Sequence, residues 1–123
     1  RATSVVIEET GQKLAFACIH GKNLSVTAMG RQKVAFFDMD KLDFPLALRN
    51  YRTGDRFTPL GMQGSQKVKK FFINAKIGRA RRKTCPILLS RDRIIWVVGH
   101  RTDDFFKIGP ATRNVLKVEL LRA

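Results

Sequence analysis

The sequence predicts an α+β fold, with antiparallel β-sandwich-like sheets and two short helices in the middle. Three observations carry this. Four runs rich in Val, Ile, Phe and Thr recur in the first third at a spacing of about ten residues, with glycine-bearing turns between them. An apolar stripe at helical spacing follows Ser65. A short apolar hairpin and a late apolar strand come after it.

The runs are "TSVVIEE", "KLAFACIH", "NLSVTAM" and "KVAFFDMD", separated by "TGQK", "HGKN" and "MGRQ". Their spacing predicts an antiparallel meander. In the second run Leu14, Phe16 and Cys18 alternate with Ala15, Ala17 and Ile19, so both faces are expected to be covered. Pro45 holds Phe44 extended, and "LALR" resumes a strand. "YRTGDR" reads as a turn in which Gly54 takes positive φ and Asp55 accepts from local amides.

Ser65 is the expected N-cap of the first helix. Val68, Phe71, Phe72 and Ala75 form its apolar stripe, and Lys67, Lys69, Lys70 and Lys76 fall largely elsewhere on the wheel. Gly78 ends this helix. "RARRKT" forms a second short one, stopped before Cys85 by Pro86. "ILL", a turn at "SRDR" and "IIWVVG" make a hairpin, and "VLKVEL" a last strand with Leu116, Val118 and Leu120 on one side. On this reading residues 1–45 are leading strands and 46–123 a basic module, the two forming one compact unit.

At 123 residues and 44% hydrophobic, the chain can bury the core of one compact domain and is too apolar for disorder. Apolar runs such as Ile94–Val98 are too short to span a membrane, and no signal peptide is visible. A start at Arg1 rather than Met reads as a fragment of a longer protein. Cys18 and Cys85 both sit in apolar runs, which predicts buried free thiols suited to a reducing cytoplasm.

The net charge is +14 and is concentrated. Residues 49–101 carry 14 basic and 2 acidic side chains, a net of +12, while the segments on either side are each +1. A concentrated excess makes a local positive potential, and phosphates are its natural partner. The contact candidates are Arg49, Arg52 and Arg56 around one turn, Lys67, Lys69 and Lys70 on the first helix, and Arg79, Arg81 and Arg82 on the second, with Arg101 a further one. Arg56 is also placed to pair internally with Asp55. Tyr51 is the one aromatic outside core spacing. The scarcity of exposed stacking rings favours a duplex backbone over splayed bases.

No catalytic, cofactor or metal site is expected. Asp38, Asp40 and Asp43 close a strand and enter a turn. No Cys/His spacing suits zinc. His20 and His100 have no local triad partners. "GMQGSQK" lacks the spacing of a phosphate-binding loop.

"LRNYRTGDRFTPLGMQGSQKVKKFFINAKIGRARRKTCPILL", then "IIWVVGHRTDDFFKI", then "VLKVEL", resembles the C-terminal domain of bacterial tRNA(Ile)-lysidine synthase. The resemblance covers roughly residues 46–120, as an ordered series of motifs. Lys70 stands where the family often has Asp, and Gly78 where Pro is usual. The resemblance implies a β-sandwich module with helices, akin to one in tRNA synthetases. It implies a cytoplasmic parent ligase that uses ATP to attach lysine at C34 of an isoleucine tRNA. The parent's N-terminal Ser-Gly-Gly-x-Asp-Ser loop is absent here, so ATP belongs to the parent's catalytic domain and no activity is expected of this fragment. The partners implied are the isoleucine tRNA acceptor stem and that N-terminal catalytic domain. Two rivals remain at this point: a domain that docks another part of its parent or a twin subunit, and a hydrolytic editing domain.

Overall fold

A computed structural model describes residues 2–7, 11–20 and 33–122. The chain divides into two compact units, 1–42 with 106–123, and 43–105. The return at 105/106 has no counterpart in the sequence reading.

Among the described residues the first unit holds a four-stranded antiparallel sheet built from β1 (Ala2–Ile7), β2 (Gln12–His20), β3 (Val34–Asp38) and β10 (Asn114–Arg122). Its order is β1-β2-β10-β3. The expected meander is therefore corrected: the last strand lies between β2 and β3, with Val118 opposite both Phe16 and Ala35. Run spacing constrains sequence neighbours, and it carries no information about a strand arriving from the far end of the chain. The run "NLSVTAM" lies outside the described residues. Leu14, Phe37, Val115 and Val118 are buried, whereas the rest of β2 from Ala15 to Ile19 is half-buried. Asp38 caps a 3-10 turn at Met39–Lys41, accepting from the Asp40 N–H at 3.2 Å, and Thr112 Oγ1 donates to it at 3.1 Å. This agrees with reading that aspartate cluster as turn residues.

The second unit holds the sheet β4-β7-β8-β9, made from Leu46–Asn50, Pro86–Ser90, Arg93–Val97 and Arg101–Thr102, all antiparallel. A separate strand pair, β5 (Arg56–Phe57) and β6 (Gln66–Lys67), leads into α1 (Val68–Asn74). α2 (Arg79–Lys83) follows. With three antiparallel sheets and two short α-helices among the described residues, the fold class is the α+β one expected.

α1 packs on a core of Phe57, Val68, Phe72, Ile77, Cys85, Ile87, Leu89, Ile94 and Val97. α2 contributes no buried residue to it, whereas the flanking Ile77 and Cys85 do. Three details of α1 differ from expectation. It ends at Asn74, before the Gly78 expected to stop it. Ser65 is not its N-cap. Lys67 occupies that position, without a side-chain cap, because Gln66 and Lys67 first pair with Phe57 and Arg56. Ala75 is exposed, and Ile77 supplies the core contact instead, after the chain turns at Lys76 with φ 59°. Both cysteines are free; Cys85 is buried and Cys18 half-buried.

Candidate nucleic-acid interface

The turn after β4 is built around one carboxylate. Asp55 accepts from Arg49 through both oxygens at 2.9 Å and from the Arg52 N–H at 2.9 Å. The Asp55 N–H returns to the Arg52 carbonyl at 3.1 Å, and Gly54 takes φ 96°, as the turn requires. The Asp55 carbonyl then accepts from Val68 N–H at 2.8 Å, tying the turn to the start of α1. Burial alone would raise the Asp55 carboxyl. The hydrogen bonds from Arg49 and the Arg52 amide outweigh it and hold the group below its usual range. The same hydrogen bond raises Arg49 above its ordinary value, against a smaller opposing effect of burial.

Two expectations change here. The internal pair is Arg49–Asp55, not Arg56–Asp55. A turn sends adjacent side chains apart, and Arg49 on β4 comes round to face the carboxylate. Arg49 therefore belongs to the scaffold. Its side chain is 24% exposed and bidentately held. Arg56 remains exposed and donates to Ser65 Oγ at 3.1 Å and the Ser65 carbonyl at 3.3 Å.

The other candidates divide the same way. Arg82 is half-buried and donates from Nε to the Ile77 carbonyl at 2.7 Å, closing the link between the helices. Arg101 is exposed, donates to the Leu60 carbonyl at 3.2 Å, and lies 5.9 Å from the Phe71 ring centroid. Arg52, Lys67, Lys69, Lys70, Arg79 and Arg81 are exposed. Among the described residues no carboxylate lies within ion-pair distance of Lys67, Lys69, Lys70, Arg79 or Arg81. Lys76 and Lys83, outside the candidate set, are equally exposed. Their neighbours in the sequence were the available signal.

Sheet register brings part of this set to one end of the sheet. Asn50 pairs with Pro86 at one end of the sheet, and the Tyr51 N–H donates to the Cys85 carbonyl there. The Arg52–Arg56 turn, the end of α2 and Arg101, which pairs with Val97, gather at that end. Leu46 pairs with Ser90 at the other end, where Asp43 faces Arg91 at 3.7 Å. Tyr51 is not a stacking platform. It is half-buried, with its ring edge-on to Phe72 at 5.0 Å. Burial, and then the charge of Arg81, lowers the pKa of His100, whose ring lies edge-on to Phe71 and Phe72. Cys85 is pushed up to about 12 by burial, so its thiol stays protonated at neutral pH. Among the described residues no helix is long and apolar enough to cross a membrane, and no group of three or more His, Cys, Asp or Glu is placed to hold a metal.

The model of the TilS substrate C-terminal domain matches residues 46–119. The tRNA(Ile)-lysidine synthase of Parabacteroides distasonis is 44% identical over 90 residues, covering 73% of this chain and 20% of that protein. The Caldanaerobacter subterraneus enzyme is 42% identical over 86 residues, covering 70% and 18%. The chain thus spans about a fifth of the length of these relatives. A crystal structure of a TILS C-terminal domain superposes with TM-score 0.81 at 22% identity, covering 99% of this chain and 98% of that one. An N-terminal fragment of the phenylalanyl-tRNA synthetase β-subunit from Pyrococcus horikoshii superposes with TM-score 0.72 at 16% identity, covering 89% and 39%. Both likenesses are of fold. The family model spans more than half of the sequence, across the turn, both helices and the strands that present the basic residues, and the chain belongs to the TilS substrate C-terminal domain family.

Proposed function

We propose that this chain is a non-catalytic tRNA-binding domain of an ATP-dependent tRNA(Ile)-lysidine synthase, and that it docks the acceptor stem of the isoleucine tRNA through phosphates. One observation carries the reading. Residues 43–105 hold 14 basic and 5 acidic side chains, a net of +9, and their exposed lysines and helix arginines have no ion-pair partner among the described residues. A protein surface that kept such charge without a polyanion would gain nothing in stability from it.

Arg52, Arg56, Lys67, Lys69, Lys70, Arg79 and Arg81 are the contacts. Arg49, Arg82 and Arg101 hold the elements that carry them. Arginine offers a planar fork to phosphate oxygens, and lysine a mobile point charge. Such contacts set register on a stem without reading bases. On this reading the ligase chemistry, the ATP and the cytoplasmic setting belong to the parent enzyme, whose N-terminal catalytic domain is the second partner.

The test is a salt series. Lys67→Ala/Lys69→Ala/Lys70→Ala should weaken tRNA binding with an unchanged melting temperature. The slope of log K against log salt should fall by up to about one for each phosphate that the variant no longer engages. A triple variant with the parent's affinity and slope would make α1 an ordinary solvated face and put a protein-docking role ahead.

A further inference from the structure

We infer that the loop joining β5 to β6 is an apolar tip that packs against an exposed base at the end of an RNA stem. The inference rests on the RNA-binding reading above and adds a second kind of contact to it.

Eight residues, 58–65, separate the two strands, more than the roughly 2–5 that join strands in an ordinary hairpin. The extra length is ordered by residues 101–104. Thr58 N–H donates to Asp103 Oδ2 at 2.9 Å, and the Asp104 N–H to the Thr58 carbonyl at 2.7 Å. Leu60 N–H donates to the Thr102 carbonyl at 2.9 Å and Gly61 N–H to Asp104 Oδ1 at 3.0 Å. The Leu60 carbonyl accepts from Arg101, and Pro59 pairs with Asp103 as an isolated bridge. Asp103 is itself buried, at 4% exposed.

A backbone held at this many points displays two large apolar side chains, Leu60 at 40% and Met62 at 45% exposed. A single exposed leucine means little. Two on one stitched loop are different, because the ordering cost of binding has been met before any partner arrives. The setting of the loop names the partner. Arg56 and Lys67 pair across its base, and Arg101 pins its tip. A ligand that satisfies cations at the base and an apolar tip between them carries phosphates and flat apolar faces together, which is the chemistry of RNA. Leucine and methionine do nothing for a phosphate. They pack on bases, as apolar wedges do in other nucleic-acid complexes. The deep, narrow major groove of an A-form stem excludes such a tip, and its shallow minor groove offers hydroxyls and base edges rather than base faces, which leaves the open end of a stem.

The probe is an RNA hairpin with an unpaired 3′ overhang carrying 2-aminopurine at its first position, titrated into the full chain across a salt series. Parent binding should change the 2-aminopurine fluorescence. Leu60→Gln/Met62→Gln should bind about tenfold more weakly at every salt concentration, with the parent's slope and no fluorescence change. Lys69→Ala/Lys70→Ala should do the reverse, losing slope and keeping the fluorescence change. If the parent binds no RNA, the reading of function fails and takes this inference with it. If the parent binds and the apolar variant matches it in affinity, only this inference falls. A loss confined to the slope, or to self-association seen by sedimentation, also overturns it. Should the apolar variant melt early, the parent's own fluorescence decides: no change on binding refutes packing on a base.

Discussion

Asp55→Asn should unsettle the basic turn and, through it, RNA binding. The substitution leaves one acceptor oxygen where the carboxylate served three donors: two Arg49 nitrogens and the Arg52 amide. Breaking a fully buried ion pair costs roughly 3–5 kcal/mol, and losing an exposed one roughly 0–1. The Asp55 side chain is 10% exposed and Arg49 is 24%, so the loss should fall between, at about 2 kcal/mol. For a chain of this length that is a drop in melting temperature of roughly 8 °C. Urea titrations of Asp55→Asn, Arg49→Gln and the double variant would give the coupling energy directly. The pH dependence has a definite sign. The folded-state pKa of Asp55 is depressed, so its contribution is fully present above the unfolded carboxylate value of about 3.9. It is lost as pH falls through the lower folded value. The acid limb of the parent's stability curve should therefore be steeper than that of Asp55→Asn. A coupling below about 0.5 kcal/mol, with identical acid limbs, would mean that solvent already screens the pair and that the turn is held by its backbone alone.

Phe72→Ala should cost roughly 3–5 kcal/mol, because the ring is fully buried against Tyr51. Phe71→Ala should cost clearly less, since that ring is half-buried beside Phe57 and His100; thermal melts that rank the two the other way would contradict the packing. Cys85, buried and with its thiol pushed up to about 12, should resist alkylation at pH 8 in the native state and react in urea. Mass spectrometry finding rapid native labelling at Cys85 would refute this. Arg49→Lys should destabilise nearly as much as Arg49→Gln, because a lysine cannot bond both Asp55 oxygens in the fork geometry; a lysine variant that melts like the parent would show that charge alone suffices.

What the sequence disclosed was local. α2, the hairpin and the Asp55 turn were legible because Gly78, Pro86 and Gly54 each constrain their own neighbours. The start of α1 was misplaced by two residues, because the strand pairing of Gln66 and Lys67 takes precedence over the capping preference of Ser65. The place of β10 and the stitching of residues 58–61 by residues 101–104 depend on pairings more than forty positions apart, and no period or turn signal encodes those. Within the candidate site, charge gave the set of residues. It did not separate Arg49 and Arg82, which hold the scaffold, from the lysines that face water. That division follows from arginine's ability to bond several acceptors at once, and it becomes visible only when the acceptors are in place.

The few acids of the second unit explain how a binding surface and a stable fold coexist in it. Each carboxylate near the cations lowers the attraction for phosphate, so each should have a structural reason to remain. Asp55, Asp103 and Asp104 do: they accept from Arg49 and from the Arg52, Thr58, Phe105 and Gly61 amides, donors that would otherwise be left unpaired or the loops unfixed. Asp43 and Asp92 have no such duty toward the basic turn, and both lie by the β7–β8 turn, at the opposite end of the sheet. β4 and β7 are five-residue strands, which at about 3.3 Å per residue puts roughly 16 Å between the two ends. That is about twice the ~8 Å screening length at physiological salt, so these two acids barely reduce the potential felt by a phosphate at the Arg52–α2 end. The sheet thus separates charge along its strands: acids that shape loops stay among the cations, and acids without that role sit where salt hides them from the ligand.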